Sequence, residues 1–518
     1  MKAVVIGAGF GGLAAAARLR ARGYDVVLVE KLGKPGGRAC VFERNGFVFD
    51  AGPTVVTAAF LFDELFALFN KKREDYIRFV PLYPWYRIQF ADGSFFDYGG
   101  TIEQTLEQIR KFDPADCNGY LRMLEHTKEV FRVAFVKLGD KPFLTLWSML
   151  RAAPQMVRLG AWRTVWQLAC KYVRNHNLRR VFSFHPLLVG GNPFNTTSIY
   201  SLIHYLERQW GVHFAMGGTG AIIRGLETLL REEGVEIRLN TEVKEILVET
   251  GQTPPCGGTG FQPVCRGTPR HQPSPRTTGV RLADGSTLPA DLVVCNADAP
   301  FAHKHLIAPQ HRRKWTDRRL DKLKYSMGVF VLYFGTRRKY PTVQHHTIIF
   351  GRRYRELLRE MFDEKKLEME DVSVYLHRPT ATDPSLAPEG CDAFYVLCPV
   401  PNLQGTTDWK TMGPKYRDML VQHLERVALP GLSECICEES YVTPEFYRDE
   451  LLSLHGTGFS IQPTFGQSAW FRFHNRSEDI PNLYFVGAGT HPGAGMPGVL
   501  CSAKALEYLL PMAEEKMD

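Results

Sequence analysis

The opening stretch restricts this chain more than any other. Ala3-Val4-Val5-Ile6 is an apolar run of strand length, Gly7-Ala8-Gly9-Phe10-Gly11-Gly12 follows it, and Leu13-Ala14-Ala15-Ala16-Ala17 opens a helix. In a strand–turn–helix of this kind the first glycine permits the tight turn and the second lets the backbone approach a pyrophosphate. The third lets the helix pack on the strand, so that its free N–H groups face the phosphates. Glycine-rich turns of this sort also exist without a ligand. What separates the two readings is the next segment, where the helix breaks at Gly23 and Val26-Val27-Leu28-Val29 ends on Glu30, at the spacing of an acid that takes ribose hydroxyls. A buried parallel sheet carrying a dinucleotide is the expectation.

Length and charge narrow the rest. A chain of 518 residues, 44% hydrophobic and 23% charged, buries a large core and divides into two or three lobes. No run of about twenty apolar residues is present, so a transmembrane helix is not expected. Met1-Lys2 runs straight into the nucleotide-binding strand, which argues against a cleaved leader and for a cytoplasmic protein, or one on the cytoplasmic face of a membrane. The net charge of +8 is modest for this length, and with no basic run or reader motif it gives no case for nucleic acid. Cys256/Cys265 and Cys435/Cys437 match neither a zinc knuckle nor a C-x-x-C pair, so reduced thiols and no metal are expected.

Along the chain, 60–69 reads as a helix with a broad apolar face, and 84–90 with 95–98 reads as a hairpin around Asp92-Gly93. Residues 101–180 are mainly helical. Within them Trp147, Leu150, Trp162 and Trp166 alternate with Arg151, Arg158 and Arg163, and acids are absent from 143–166. An interfacial helix buries such a face among acyl chains while its cations meet headgroups. A helix packed on its own lobe is the second reading, and both stand. Strands are expected at 235–240, 243–248 and 279–282, with the Gly-, Pro-, Thr- and Gln-rich residues 250–278 between them as a disordered, dispensable surface loop. Apolar strands at 328–334, 372–376 and 394–397 either floor a hydrophobic tunnel or form an ordinary covered sheet. Near the C-terminus Leu483-Tyr484-Phe485-Val486 leads into Gly487-Ala488-Gly489-Thr490-His491, and a small-residue helix follows.

Gly36-Gly37-Arg38 after Glu30, followed by Phe47-Val48-Phe49-Asp50-Ala51-Gly52-Pro53, resembles the GR2-type flavoproteins of the amine oxidase superfamily. The stretches 182–194, 198–212 and 217–220, His377, 382–390 and the C-terminal glycine block sharpen this to a resemblance to bacterial and fungal phytoene desaturases, colinear over nearly the whole chain. The resemblance implies an α/β fold with a Rossmann-like FAD-binding domain of GR2 type, a discontinuous α+β substrate domain and a helical membrane-facing lobe. The corresponding divisions are 1–80, 215–300 and 470–518 for FAD, 81–100 and 301–469 for the substrate sheet, and 101–214 for the helical lobe. It implies FAD held by Gly7, Gly9, Gly12, Glu30, Lys31, Gly37, Arg38, Gly52, Pro53, Thr54, Val243, Gly487, Gly489, Gly498 and Val499.

The implied reaction is desaturation of phytoene, a long hydrophobic polyene, toward lycopene, on a protein peripheral to the cytoplasmic membrane. Gly218-Thr219-Gly220 lacks the final glycine of a second dinucleotide motif, so electrons are expected to pass to a quinone or oxygen. Arg151 and His491 are the candidate catalytic residues, His491 competing with a purely structural role. Ser148 stands where the family pattern leads one to expect an acid, which leaves the base unassigned. A related carotenoid oxygenase or isomerase, a diapophytoene desaturase, and a non-catalytic prenyl-binding protein of the Rab escort type are the alternatives. The intact glycine motifs, Glu30 and Arg38 argue against the last.

Overall fold

The computed structural model describes residues 1–249 and 275–513, apart from the side chains of Leu146, Ser148 and Ala152. A five-stranded, wholly parallel sheet stands at the centre, in the order Leu483–Phe485, Leu292–Cys295, Lys2–Ile6, Asp25–Val29, Glu236–Arg238. The first strand lies in the middle, and its Ala3, Val4 and Val5 are fully buried, as a parallel strand covered on both faces requires. Helix Phe10–Ala21 covers one face. Its Ala14, Ala15, Ala16 and Ala17 are all buried, and the small side chains let helix Met496–Lys504 lie close beside it. Buried Arg18, ion-paired with Glu64 and Glu507, ties the C-terminal segment to this helix.

A second sheet of seven strands runs Ile436–Val442, Gly328–Thr336, Asp392–Val400, Val374–His377, His346–Ile349, Tyr86–Gln89, Phe95–Tyr98. All its pairs are antiparallel except His346–Ile349 with Tyr86–Gln89. Strand Gly328–Thr336 is buried along its whole length because the two faces meet different partners. Phe330, Leu332 and Phe334 pack under helix Trp409–Val427, while Val329, Val331 and Tyr333 meet Phe47, Phe49 and Tyr395. One face is thus an ordinary helix-covered core, and the other packs on strand Phe47–Asp50.

Some sequence expectations shift at their edges. The helix expected at 60–69 spans Phe60–Ala67, and the hairpin strands are Tyr86–Gln89 and Phe95–Tyr98. The expected loop at 250–278 falls outside the described residues over 250–274. Residues 276–278 belong to strand Arg276–Leu282, which pairs back onto Val243–Glu249, so the hairpin resumes earlier than the polar composition suggests. Gly218-Thr219-Gly220 starts helix Gly218–Glu232, where Thr219 N donates to buried Asp50 Oδ1 at 2.8 Å. These glycines serve a carboxylate of the chain itself.

Candidate active site

A cavity of about 640 Å³ begins at the edge of the parallel sheet and runs to the antiparallel one. Its first end is the glycine turn. Gly7 has φ +91°, in the region that favours glycine, and a Cβ on Gly12 would stand 1.9 Å from Gly7 O, so only hydrogen fits there. Glu30 is held by two backbone donors, Ala8 N to Oε2 at 2.7 Å and Leu32 N to Oε1 at 3.0 Å, which leaves lone pairs on both oxygens for a ligand. Across the turn, a Cβ on Gly52 would stand 2.0 Å from Arg38 O, which brings the Gly52-Pro53-Thr54 segment against the Gly36-Gly37-Arg38 segment. Arg38 donates to Ser453 Oγ at 2.9 Å, and its buried Nε has no partner.

Of the sequence-assigned cofactor residues, Gly7, Gly9, Glu30, Lys31, Gly37, Arg38, Gly52, Pro53, Thr54, Val243, Gly487, Gly498 and Val499 border this one cavity. Gly12 and Gly489 do not. Gly12 packs on Gly7, and a Cβ on Gly489 would stand 2.9 Å from Ala299 Cβ. The start of helix Met496–Lys504 also faces the cavity through Met496, Pro497 and Gly498, with the N–H groups of Met496 and Gly498 at the positive end of its dipole. The donor set suits an anionic dinucleotide: a glycine cradle, an acid for hydroxyls, an orphaned guanidinium nitrogen and a second helix start.

Beyond this end the walls turn apolar, with Phe184, Leu187, Leu188, Ile203, Leu206, Met327, Ile348 and Phe350. On the sheet face Thr54 Oγ1 lies 2.8 Å from Tyr395 Oη and 3.1 Å from Tyr375 Oη. Burial pushes both phenols above their ordinary value, so they remain O–H groups. Tyr375 Oη is 2.6 Å from His346 Nδ1, and His346 stands opposite His377 in the sheet. His345 completes a buried trio whose ligand atoms lie within 4.8 Å of one another. Burial keeps all three imidazoles well below their ordinary value, hence neutral. No carboxylate or thiol belongs to the group, so a divalent cation there would stay uncompensated in the interior.

The two assigned catalytic residues part company. His491 borders the cavity with its ring edge-on to Phe143 at 5.0 Å; burial, aided by Arg472, pushes it down to about 3. It is a neutral imidazole at physiological pH. Arg151 lies outside the cavity lining, on the exposed side of helix Leu146–Arg158, its guanidinium 5.6 Å from the Trp147 ring. The same helix contributes Met149, Ala153, Met156 and Val157 to the cavity wall. Sequence reasoning missed Glu207, a carboxylate at the cavity wall held by Tyr86 and His185. These residues are distant in sequence, and no spacing rule joins them.

Residues 10–505 match the family described as flavin containing amine oxidoreductase. A phytoene desaturase (lycopene-forming) from Pseudescherichia vulneris is 46% identical over 510 residues, covering 98% of this chain and 99% of the relative. A phytoene desaturase (neurosporene-forming) from Rhodobacter capsulatus is 42% identical over 517 residues, covering 99% and 94%. Among solved structures, an oxidoreductase from Methanosarcina mazei superposes with a TM-score of 0.60 at 17% identity, over 98% of this chain and 100% of that one. At that identity the likeness speaks for the fold alone.

Proposed function

The chain belongs to the phytoene desaturases of the flavin-containing amine oxidoreductase family, and we propose that it introduces double bonds into phytoene toward lycopene with FAD as the oxidant. The observation that carries this reading is a single cavity joining a dinucleotide cradle to a long apolar chamber. An apolar polyene fits the chamber because its walls offer burial and few competing polar partners. FAD held at the cradle would supply the oxidising power, as an acceptor of the hydride that a saturated carbon of the substrate gives up.

The chain's own residues bind, orient and exclude water. Gly7, Gly9 and Gly12 admit the diphosphate, and Glu30, with Lys31 beside it, takes the ribose end. Val243 borders the adenine end, and Gly37 and Arg38 meet the anionic oxygens. Gly52, Pro53 and Thr54, with Gly487, Gly498 and Val499, would hold the ring end, where the helix start at Met496 favours negative charge, and Gly489 lies outside the lining against Ala299. Neutral His491 shapes this end without carrying charge. Residues 1–80, 215–300 and 470–518 form the flavin-binding unit, and 81–100 with 301–469 form the substrate sheet.

The helical segment 101–214 is the membrane-facing part of the proposal. Among the described residues no helix is long and apolar enough to cross a membrane. Val157 and Trp162 border the cavity and yet are 65% and 64% exposed, and Trp147 and Leu150 are exposed beside them. An apolar rim with Arg151, Arg158 and Arg163 around it supports entry of a water-insoluble substrate from an anionic lipid surface, and reoxidation there by a quinone, or by oxygen. The test is incubation with FAD, phytoene-loaded liposomes and a quinone, followed by chromatography of the pigments. Successively longer chromophores ending at lycopene support the reading, and unchanged phytoene beside bound flavin contradicts it.

A further inference from the structure

Among the described residues five acids border the cavity: Glu30, Glu207, Glu242, Asp298 and Glu450. Four of them belong to the cradle end. Glu30 is the ribose acid, Glu242 pairs with Lys244 at 2.8 Å, and Glu450 adjoins Asp449, whose carbonyl takes Lys31 Nζ at 2.7 Å. Asp298 accepts Leu454 N at 3.1 Å and feels the charge of Arg38. Glu207 stands apart. It lies on helix Leu202–Trp210, whose Ile203 and Leu206 also border the cavity, as do Phe184 and Leu188.

A carboxylate in an apolar wall carries a penalty of several kcal/mol unless donors hold it. Glu207, 1% exposed, has three polar neighbours: Tyr86 Oη donates to Oε1 at 2.8 Å, His185 Nε2 lies 3.1 Å from Oε2, and the Tyr98 phenol also bonds the carboxylate. Burial, followed by the Glu207 charge, pushes the Tyr86 phenol well above its ordinary value, so it stays a donor. Three partners on a carboxylate with about four lone-pair sites leave one site without a donor from the chain. A carboxyl group held in place among hydrocarbon walls, in a chain whose expected acid position is Ser148, is placed as a general base would be.

We propose that Glu207 is the catalytic base of the desaturation, positioned by Tyr86 and His185; this rests on the desaturase reading above. One saturated carbon of the substrate loses a hydride to the oxidised flavin while its neighbour loses a proton to a Glu207 oxygen. The electron pair of the second C–H bond becomes the new C=C bond, and an O–H bond forms on Glu207. The charge developing on the substrate carbon is positive, so the nearby carboxylate also stabilises it.

The test compares the FAD-loaded protein with Glu207→Gln and Glu207→Asp. Glu207→Gln should keep its flavin and its affinity for phytoene, yet reduce flavin in anaerobic single turnover about 10²–10⁴-fold more slowly. Glu207→Asp should recover part of that rate. Independently of turnover, a long-chain tertiary ammonium should bind the wild type at least about tenfold more tightly than Glu207→Gln, while an uncharged hydrocarbon of equal length binds both alike. A Glu207→Gln rate close to wild type, or equal ammonium affinity in both, overturns the proposal. If wild type leaves phytoene untouched, the desaturase reading fails, and ammonium binding still reads whether an anion faces the cavity. If Glu207→Gln fails to hold flavin, Glu207→Asp decides: a lowered rate with retained ammonium affinity supports the base, and a wild-type rate refutes it.

Discussion

Replacing Gly12 by alanine puts the cradle under direct test. The added Cβ would stand 1.9 Å from Gly7 O and 3.1 Å from Gly7 C, where contacts under 3.0 Å are essentially never seen. Helix Phe10–Ala21 must therefore retreat by about 1.1 Å, the difference between those two limits. A hydrogen bond of about 2.9 Å stretched by that much is lost. Each charge-assisted bond from a helix-start N–H to a phosphate contributes about 1.5–3 kcal/mol, so losing two gives roughly 3–6 kcal/mol. That corresponds to FAD binding weakened by about 10²–10⁴-fold. The assay is titration of apoprotein with FAD, followed by flavin fluorescence, with Gly466→Ala as control because a Cβ there meets nothing within 4 Å. Affinity of Gly12→Ala within about threefold of wild type would refute the argument that this contact sets the phosphate cradle.

Further outcomes follow from other sites. Burial pushes Asp50 up to about 7 from an unfolded value of 3.8, so between those pH values the folded chain binds the extra proton and stability falls as pH rises. Asp50→Asn, which keeps an oxygen for Thr219 N, should then stabilise the protein by an amount on the order of 4 kcal/mol above pH 7 and much less near pH 4. Denaturation at both pH values checks this, and a pH-independent difference contradicts it. Changing both Trp147 and Trp162 to serine should weaken sedimentation with anionic liposomes roughly thirtyfold, taking each ring as half inserted, while leaving flavin content intact; unchanged sedimentation would remove the membrane role from this rim. His491→Gln should change turnover by less than about tenfold and leave its pH dependence unmoved, since an imidazole that titrates at about 3 is already neutral. A shifted pH profile would restore His491 as a proton carrier.

Much of the first sheet is legible in the sequence because its signals are local. The run Ala3–Ile6, the glycines and Glu30 each follow from rules that operate over a few residues, and the structure places Glu30 on the turn through Ala8 N and Leu32 N. Weaker signals leave the use of a segment open where a local pattern has two. Gly218-Thr219-Gly220 looks like a fragment of a second phosphate loop, yet its N–H group serves Asp50. Arg151 lies in a stretch whose composition shows cations and tryptophans but not which of them turn toward the cavity. The Glu207 site was out of reach for another reason. Tyr86 is 121 residues from Glu207 and His185 is 22 away, and only the packing of a hairpin strand, a short turn and a helix brings them together. His346 and His377 likewise meet only through strand register.

On the proposed reading, one cavity couples the flavin to a polyene. Anaerobic mixing of the FAD-loaded protein with phytoene-loaded liposomes, watching flavin bleaching and polyene absorption in the same trace, tests it most directly. The account predicts that both signals rise and fall with one rate constant, one new double bond appearing per flavin reduced. Flavin that stays oxidised in the presence of bound phytoene, or bleaches with no lengthening of the chromophore, would contradict it.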